Sequence, residues 1–375
     1  MNDINLIIFG ESCVDGMAGA IRLRNIVELI SLENVSVTNI YFLKVNQSER
    51  VINGIKQINI NYSIKGLINA IKYLNIKGKK NILYHYDQPD FLTIFIIFYS
   101  RLINYKIIVD IVEDYSVIEL DGLKLKNKIK ILSKNLFVKF LNYYADTVVV
   151  ISKNLYNKVI KYNVLESKIV HIPISINIKE YVKKKEEGKK NPVKLFYGGS
   201  FGDKDGINFL LEAFNEISID FPNIILNLSG SPALSYKEKF FLQLQKYNNL
   251  NISYLGFLPR EEYLELLLTS DILFMLRVNS EYAKMGFPFK LGEMLATGNP
   301  VITTKIEGIK DFLEDMENAL LVESNSSKDI VRAIKYIIEN PEKSAKIGAN
   351  ARRIAKRYFD RELFRDKIYN LLEYL

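Results

Sequence analysis

One cysteine, Cys13, stands in a chain of 375 residues. No intrachain disulfide can form, and a cysteine-rich metal site is excluded. Histidine is almost as scarce: His85 and His171 are the only two, too few for a histidine-based zinc site. No metal or cofactor is therefore expected. No apolar run reaches the roughly 18–20 residues that cross a bilayer. The best candidate, FLTIFIIFY at 91–99, is too short and is expected to be a core element. The N-terminal MNDINLIIFG has no basic segment leading into a long apolar one, so it is read as a first strand and not as a secretory leader. There is no internal repeat and no low-complexity tract. Positive charge is scattered and not interleaved with aromatics in a recognition motif, so nucleic acid is not an expected partner. The cytoplasm is the expected compartment.

What is present is an ordinary globular composition. Hydrophobic residues make up 48% and charged residues 25%, enough for a full core. Net charge is +8, from 51 basic and 43 acidic residues, which suits an anionic partner such as phosphate or a membrane surface. The Ile-, Asn- and Lys-rich composition accounts for part of that excess. The length suggests two domains. Short apolar runs at 4–9, 37–43, 81–86, 106–111, 146–151 and 169–172 alternate with helical patterns at 19–32, 63–76, 90–102, 123–144 and 153–162. Strands that are apolar on both faces and separated by helices make a parallel sheet covered on both sides. A charged stretch, YVKKKEEGKKNP at 181–192, reads as a linker. The alternation then restarts from VKLFYG at 193–198 and continues to 327–339, followed by a basic helical region at 342–374. The expected fold is α/β, with two doubly wound Rossmann-like domains facing across a cleft. The first covers 1–185, with the helix 356–375 packing back on it, and the second covers 192–355. Ligands of such sheets bind at the carboxyl edge.

The segment GFPFKLGEMLATGNPVITT at 286–304 carries the most local information. Pro288 suits a first helical turn. Leu291, Met294 and Leu295 share one helix face, which is expected to meet the core. Lys290, Glu293 and Thr297 share the opposite face. Gly298-Asn299-Pro300 ends the helix and starts a strand. A helix start with a lysine in its first turn can hold an anion, and a carboxylate one turn later can accept from sugar hydroxyls. The spacing alone fits equally an exposed ion pair on a surface helix.

FPFKLGEMLATGNPVITT resembles the donor-site signature of the retaining GT-B glycosyltransferases, specifically the family-4 group and its bacterial surface-polysaccharide branch with PxK before the glutamate. The resemblance puts Glu293 on the glutamate that holds the nucleotide ribose, with Phe289 and Lys290 in the donor site. The family's other glutamate would fall on Met285, a departure for which Lys290 compensates. Glu281 is out of register. KLFYGGSFGDKDGINFLLEAF at 194–214 resembles the strand, glycine loop and helix that open the donor domain, with Gly199 close to the ligand. Ser200 stands where the family has a diphosphate-gripping arginine. Asp205 takes its lysine position, with Lys204 one residue early. Arg277, ending DILFMLR, is the candidate for the missing cation. NISYLGFLPREEYLELLLTSDILFML at 251–276 resembles the segment whose turn contacts the base, here Phe257 and Leu258. FGESCVDGMAGAIRLRNIVEL at 9–29 resembles the first strand and glycine loop, with Gly16 and Gly19 near the donor phosphates.

Three acids, Asp110, Glu113 and Asp114, follow a strand at 107–116. Glu113 or Asp114 is expected to orient an acceptor hydroxyl, or else to face water. His85 is expected to be a satisfied, partly buried histidine. The segment 123–144 is a basic amphipathic helix, with Leu125, Ile129, Leu132, Leu136 and Phe140 as an apolar stripe and Lys124, Lys126, Lys128, Lys130, Lys134 and Lys139 elsewhere. It can lie on anionic lipid, or pack its stripe on the core and leave its lysines in water. The resemblance implies metal-independent transfer, with retention, of a sugar from a nucleotide-diphosphate donor to a glycan or lipid-linked acceptor. Lys204, Arg277, Lys290 and Glu113 would carry the chemistry. The protein would be cytoplasmic and peripheral on the inner face of a membrane. Alternatives on the same fold are a nucleotide-sugar epimerase or hydrolase, and a non-catalytic scaffold subunit.

Overall fold

Strands with apolar residues on both faces need a layer of helices on each side, and this requirement produces two sheets. A computed structural model describes residues 4–13, 18–30, 34–43, 48–74, 80–118, 120, 123–182, 192–202, 205–232, 236–278, 289–306 and 309–375. They group into two units, Met1–Ile176 with Arg361–Leu375, and Asn177–Asp360. The first division falls shortly before the charged segment at 181–192, most of which lies outside the described residues.

The first unit runs β1 (Ile4–Gly10), α1 (Ala18–Leu29), β2 (Val35–Phe42), β3 (Glu49–Ile52), β4 (Ile55–Ile60), α2 (Ile64–Ile71), β5 (Lys80–Tyr86), α3 (Ile94–Leu102), β6 (Lys106–Ile111), α4 (Leu125–Phe137), α5 (Leu141–Tyr144), β7 (Thr147–Val150), α6 (Lys153–Lys161) and β8 (Ile169–His171). The sheet order is β3-β4-β2-β1-β5-β6-β7-β8. All pairs are parallel except β3 with β4. The winding reverses between β1 and β5, so their carboxyl ends form the switch point of this sheet.

The hairpin β3–β4 is absent from the sequence reading. Its signal is the dipeptide Asn53-Gly54, both residues with positive φ, between two alternating strands. A second difference is the segment 123–144, which is one helix by pattern. A short 3-10 turn at Val138–Phe140 divides it into α4 and α5.

The second unit runs β9 (Val193–Gly198), α7 (Ile207–Asp220), β10 (Ile224–Ser229), α8 (Lys237–Gln245), β11 (Ile252–Tyr254), α9 (Arg260–Thr269), β12 (Ile272–Met275), α10 (Phe289–Thr297), β13 (Val301–Thr304), β14 (Leu320–Val322), α11 (Ser327–Glu339) and α12 (Pro341–Tyr358). Among the described residues its strands are ordered β11-β10-β9-β12-β13-β14, in parallel pairs. Here the switch point lies between β9 and β12. Leu195, Tyr197, Leu226, Phe274 and Ile302 from the strands pack with Leu210, Phe214 and Ile334 from the helices. The basic C-terminal pattern is two helices, because after α12 the chain turns at Phe359–Phe364 into α13 (Arg365–Glu373). Ile368, Leu371 and Leu372 of α13 join Leu23, Ile26 and Val27 of α1 on one face of the first sheet.

A buried ion pair fixes α1 to that sheet. Arg22 is 1% exposed, and its Nε and Nη2 donate to Asp110 at 2.8 and 2.9 Å. Its Nη1 donates to the Pro173 carbonyl, and the Tyr84 hydroxyl donates to Asp110 at 2.7 Å. Asp110 is thus a structural acid, fully enclosed. Asp114 is likewise taken, by Lys158 and Ser116. Removing one partner of such a pair leaves the other charge buried and alone. Asp110→Asn is expected to cost about 3–5 kcal/mol of unfolding free energy, measured by urea titration.

Candidate functional site

The carboxyl ends of the central strands in the second unit are built from glycine turns. β9 ends at Gly198, β10 runs into Gly230, and β11 runs into Gly256. The Gly199 amide donates to the Ser229 carbonyl at 2.9 Å, and the Gly230 amide donates to the Gly256 carbonyl at 2.8 Å. Gly230 has φ +139, and a Cβ there would lie 1.8 Å from the Gly199 carbonyl oxygen. Only glycine permits this approach, which lines three loops along one sheet edge.

The two departures from the resembled signature in the first loop turn out to be coupled. Ser200 donates from its hydroxyl to Asp205 Oδ2 at 2.6 Å, and the Gly202 amide donates to the same oxygen at 3.0 Å. The Tyr197 hydroxyl donates to the Asp205 carbonyl. Asp205 is buried and braces the loop. Lys204, Gly16, Glu281, Met285 and Pro288 lie outside the described residues. Arg277 follows β12, next to β9 in the sheet. Its amide donates to Thr304 Oγ1 and its carbonyl accepts from Ser324. Its charge also acts on Tyr197, which stands at the end of β9. Arg277 thus sits at the switch point. Phe257 is exposed and Leu258 half-buried, just after the Gly256 turn.

Helix α10 is covered on both faces, which rules out the alternative of an exposed Lys290–Glu293 pair. Lys290 is half-buried in the first turn, but Phe289, Glu293 and Thr297 are all buried. Glu293 is 1% exposed. Its Oε1 accepts from the Tyr181 hydroxyl at 2.7 Å and from Arg260 Nη1. Arg260 Nη2 donates to the Tyr181 hydroxyl at 2.7 Å and to Glu180 at 3.2 Å. Burial alone would make the Arg260 guanidinium easier to deprotonate. The Glu293 carboxylate and Tyr181 override it and raise the pKa further above its usual value. The Tyr263 hydroxyl is pushed well above its usual range by burial first and then by Glu293. That hydroxyl and Arg260 Nε are buried with no hydrogen-bond partner among the described residues.

The far end of α10 is fixed as tightly. Gly298 takes φ +73, the left-handed cap expected of the TGNP turn. Arg352 of α12 donates to the carbonyls of Ala296 and Tyr181. The Asn299 side chain donates to the Leu267 carbonyl of α9 at 2.8 Å. Sequence reasoning missed Tyr181, Arg260 and Arg352. Each looks like an ordinary polar residue, and its partner lies 33 to 171 positions away.

A separate cavity of about 230 Å³ opens at the start of α7, between Asn208, Tyr236, Lys239 and Asn325. Among the described residues, none of the site residues expected from the sequence lines it.

In the first unit, the switch point gathers polar groups after β5. His85 is buried, not partly exposed, and only half satisfied. Its Nδ1–H donates to the Asp87 carbonyl at 2.8 Å, while Nε2 has no partner among the described residues. Burial lowers its pKa to about 4. Glu113 is half-buried after β6, and its carbonyl accepts from Gln88. Gly19 is occupied by packing, since a Cβ there would lie 2.7 Å from the Tyr86 hydroxyl.

Two tests follow from these contacts. Glu293→Gln removes the counter-charge of an Arg260 that is about three-quarters enclosed. It is expected to cost about 3 kcal/mol in urea unfolding, the low end for a buried pair, and Tyr181→Phe about 1 kcal/mol. For His85, the folded state resists protonation, so its contribution to stability is complete above the unfolded pKa of about 6.5 and is lost as pH falls toward 4. His85→Gln is expected to flatten the fall in thermal midpoint across that window.

Residues 178–354 match the family described as "Glycosyl transferases group 1". Two uncharacterized glycosyltransferases of Methanocaldococcus jannaschii are similar. MJ1069 is 26% identical over 244 residues, covering 63% of this chain and 60% of that protein. MJ1178 is 28% identical over 238 residues, covering 64% and 62%. The similarity thus spans about three-fifths of these relatives' length. Among solved structures, Anabaena Alr3699/HepE in complex with UDP-glucose superposes with a TM-score of 0.74 at 15% identity, over 99% of this chain and 100% of that one. Sucrose-phosphate synthase from Thermosynechococcus elongatus gives 0.74 at 17% identity, over 98% of each chain. The chain has the GT-B Rossmann-like fold, and its second unit carries the group 1 glycosyl transferase match.

Proposed function

We propose that this protein is a glycosyltransferase that moves a sugar from a nucleotide-diphosphate donor to a glycan or lipid-linked acceptor. One observation carries the reading. In the unit that matches group 1 glycosyl transferases, Glu293 is held by its Oε1, which among the described residues leaves Oε2 for ribose hydroxyls, and the Tyr263 hydroxyl, also without a partner among them, lies within its field. The UDP and UDP-sugar complexes of HepE, a structural neighbour, support a nucleotide donor.

In this reading Lys290 and Arg277 stabilise the diphosphate as it departs, together with the amides that open α10 and the glycine loops. Lys204 adds a further cation. Phe289 packs beneath the donor, and Gly199, Ser200 and Gly16 let backbone approach it. Phe257 and Leu258 meet the base. Transfer proceeds with retention and without a metal ion. The bond from the anomeric carbon to the diphosphate breaks while the acceptor oxygen bonds on the same face. The departing phosphate takes the acceptor proton, so no strong protein base is required. Glu113 orients the acceptor hydroxyl. The acceptor is a lipid-linked glycan at the cytoplasmic face of a membrane.

A thermal-shift screen of nucleotide sugars tests the donor site. Stabilisation by UDP- or GDP-sugars is expected, with Lys290→Ala and Arg277→Ala each weakening binding about tenfold or more, as lost charge-assisted contacts to phosphate would. No response to any nucleotide sugar overturns the reading. Rapid donor hydrolysis or epimerisation without an acceptor favours the epimerase or hydrolase alternative.

A further inference from the structure

Helix α4 is inside out. Its buried residues are Ser133 and Lys134, and Lys130 is half-buried. Lys134 pairs with Asp87 and sits 4.0 Å from the centre of the Tyr115 ring. Lys130 reaches Asp90 at 3.7 Å and sits 4.4 Å from the centre of the Tyr62 ring. The residues that should seal a core, Leu125, Ile129, Leu132, Leu136 and Phe140, face outward instead, with Leu125 73% exposed. The expectation of a core-facing stripe with every lysine in water does not hold. The stripe is not packed on the core, and Lys134 is buried against Asp87.

Helix α3 repeats the anomaly. Ile94, Ile96 and Ile97 are buried, yet Phe95, Phe98 and Leu102 on its other side are exposed, Leu102 to 81%. The run at 91–99 is therefore only half a core element. A surface helix that is apolar all round has two apolar environments to satisfy. The sheet supplies one of them. The two helices are neighbours: the Phe91 amide donates to Ser133, and the Phe91 and Phe137 rings lie 5.6 Å apart. They connect successive strands β5, β6 and β7, so right-handed crossovers place both on the same side of the sheet. Patches of this kind mark a surface that meets something apolar.

We propose that the outer faces of α3 and α4–α5 insert into the headgroup and upper acyl region of an anionic bilayer. Charge selects the occupant. Residues 122–145 contain no Asp or Glu and hold six lysines, while Arg101 and Lys106 of the neighbouring segment are taken by Asp146. Lys124, Lys126 and Lys139 are exposed beside the apolar stripe, and Tyr143 stands exposed at its end. Exposed lysines beside an apolar surface suit anionic headgroups, as does an interfacial tyrosine. A second copy of the chain would fit poorly, since a two-fold contact would bring the lysines of one copy against those of the other. Lys130 and Lys134 are committed to Asp90 and Asp87, so insertion rests on the apolar residues and not on all six lysines. The surface gives the lipid-linked acceptor of the proposed function a physical route, and it is tested independently of donor binding.

The test is flotation of the full chain with phosphatidylcholine vesicles and with vesicles containing phosphatidylglycerol, at low and high salt. Co-flotation with the anionic vesicles is expected, partly retained at high salt. Combined Phe95→Ser and Leu132→Ser is expected to lower the bound fraction at least about tenfold, with an unchanged thermal midpoint and unchanged nucleotide-sugar stabilisation. Absence of flotation, or flotation that the double substitution leaves intact, overturns the insertion surface. So does a concentration-dependent dimer, seen by light scattering, that the same substitutions abolish. Loss of nucleotide-sugar binding in the unsubstituted chain would instead count against the donor site and leave the vesicle result standing.

Discussion

A buried carboxylate, Glu293, sets the geometry of the second unit. An acid this deep is tolerable only if a cation and hydrogen-bond donors reach it, and Arg260 and Tyr181 do so from two other segments. Helix α10 is thereby tied to the start of α9 and to the chain at 180–181, while Arg352 caps its far end. The amides that open α10 are consequently presented at a fixed position beside the sheet. In the proposed function the N-terminus of α10 receives phosphate, and anchoring the helix through Glu293 and at its far end suits that role, because donors placed beforehand need not reorganise when the ligand arrives.

Most of the architecture is legible in the chain because strand and helix periods are local. Alternating βα segments, the TGNP cap and the two sheets all come from patterns within ten or twenty residues. The hairpin at 49–60 had a local signal as well, in Asn53-Gly54. What could not be read is the direction in which polar side chains point. Lys290 and Glu293 sit three residues apart, and spacing offers an exposed pair. The structure instead covers both faces of the helix and gives Glu293 a partner from α9. Asp110 looked like one of three equivalent acids, but its partner Arg22 lies 88 positions earlier and encloses it. Ser200 and Asp205 read as two separate losses of positive charge, yet they form one hydrogen-bonded brace.

The first unit shows the same limit more sharply. An amphipathic pattern fixes where an apolar stripe lies on a helix, not which way it turns. In α4 the inward choice goes to lysines because Asp87 and Asp90, placed by the end of β5, need countercharge near a buried polar cluster. The leucines are displaced to the outside, next to the phenylalanines of α3. Stability of the unit and an exposed apolar surface are in this sense one arrangement: the ion pairs that hold the helix are the reason its stripe is uncovered.

In the proposed function Glu293 offers its second oxygen to a ribose. Calorimetry with the unsubstituted protein tests it without disturbing the buried network, by comparing a ribonucleoside diphosphate with its 2′,3′-dideoxy counterpart. Loss of two hydroxyls facing a carboxylate is expected to weaken binding about tenfold or more, since each charged hydrogen bond contributes roughly 1.5–3 kcal/mol. Equal affinity for the two nucleotides would contradict the account.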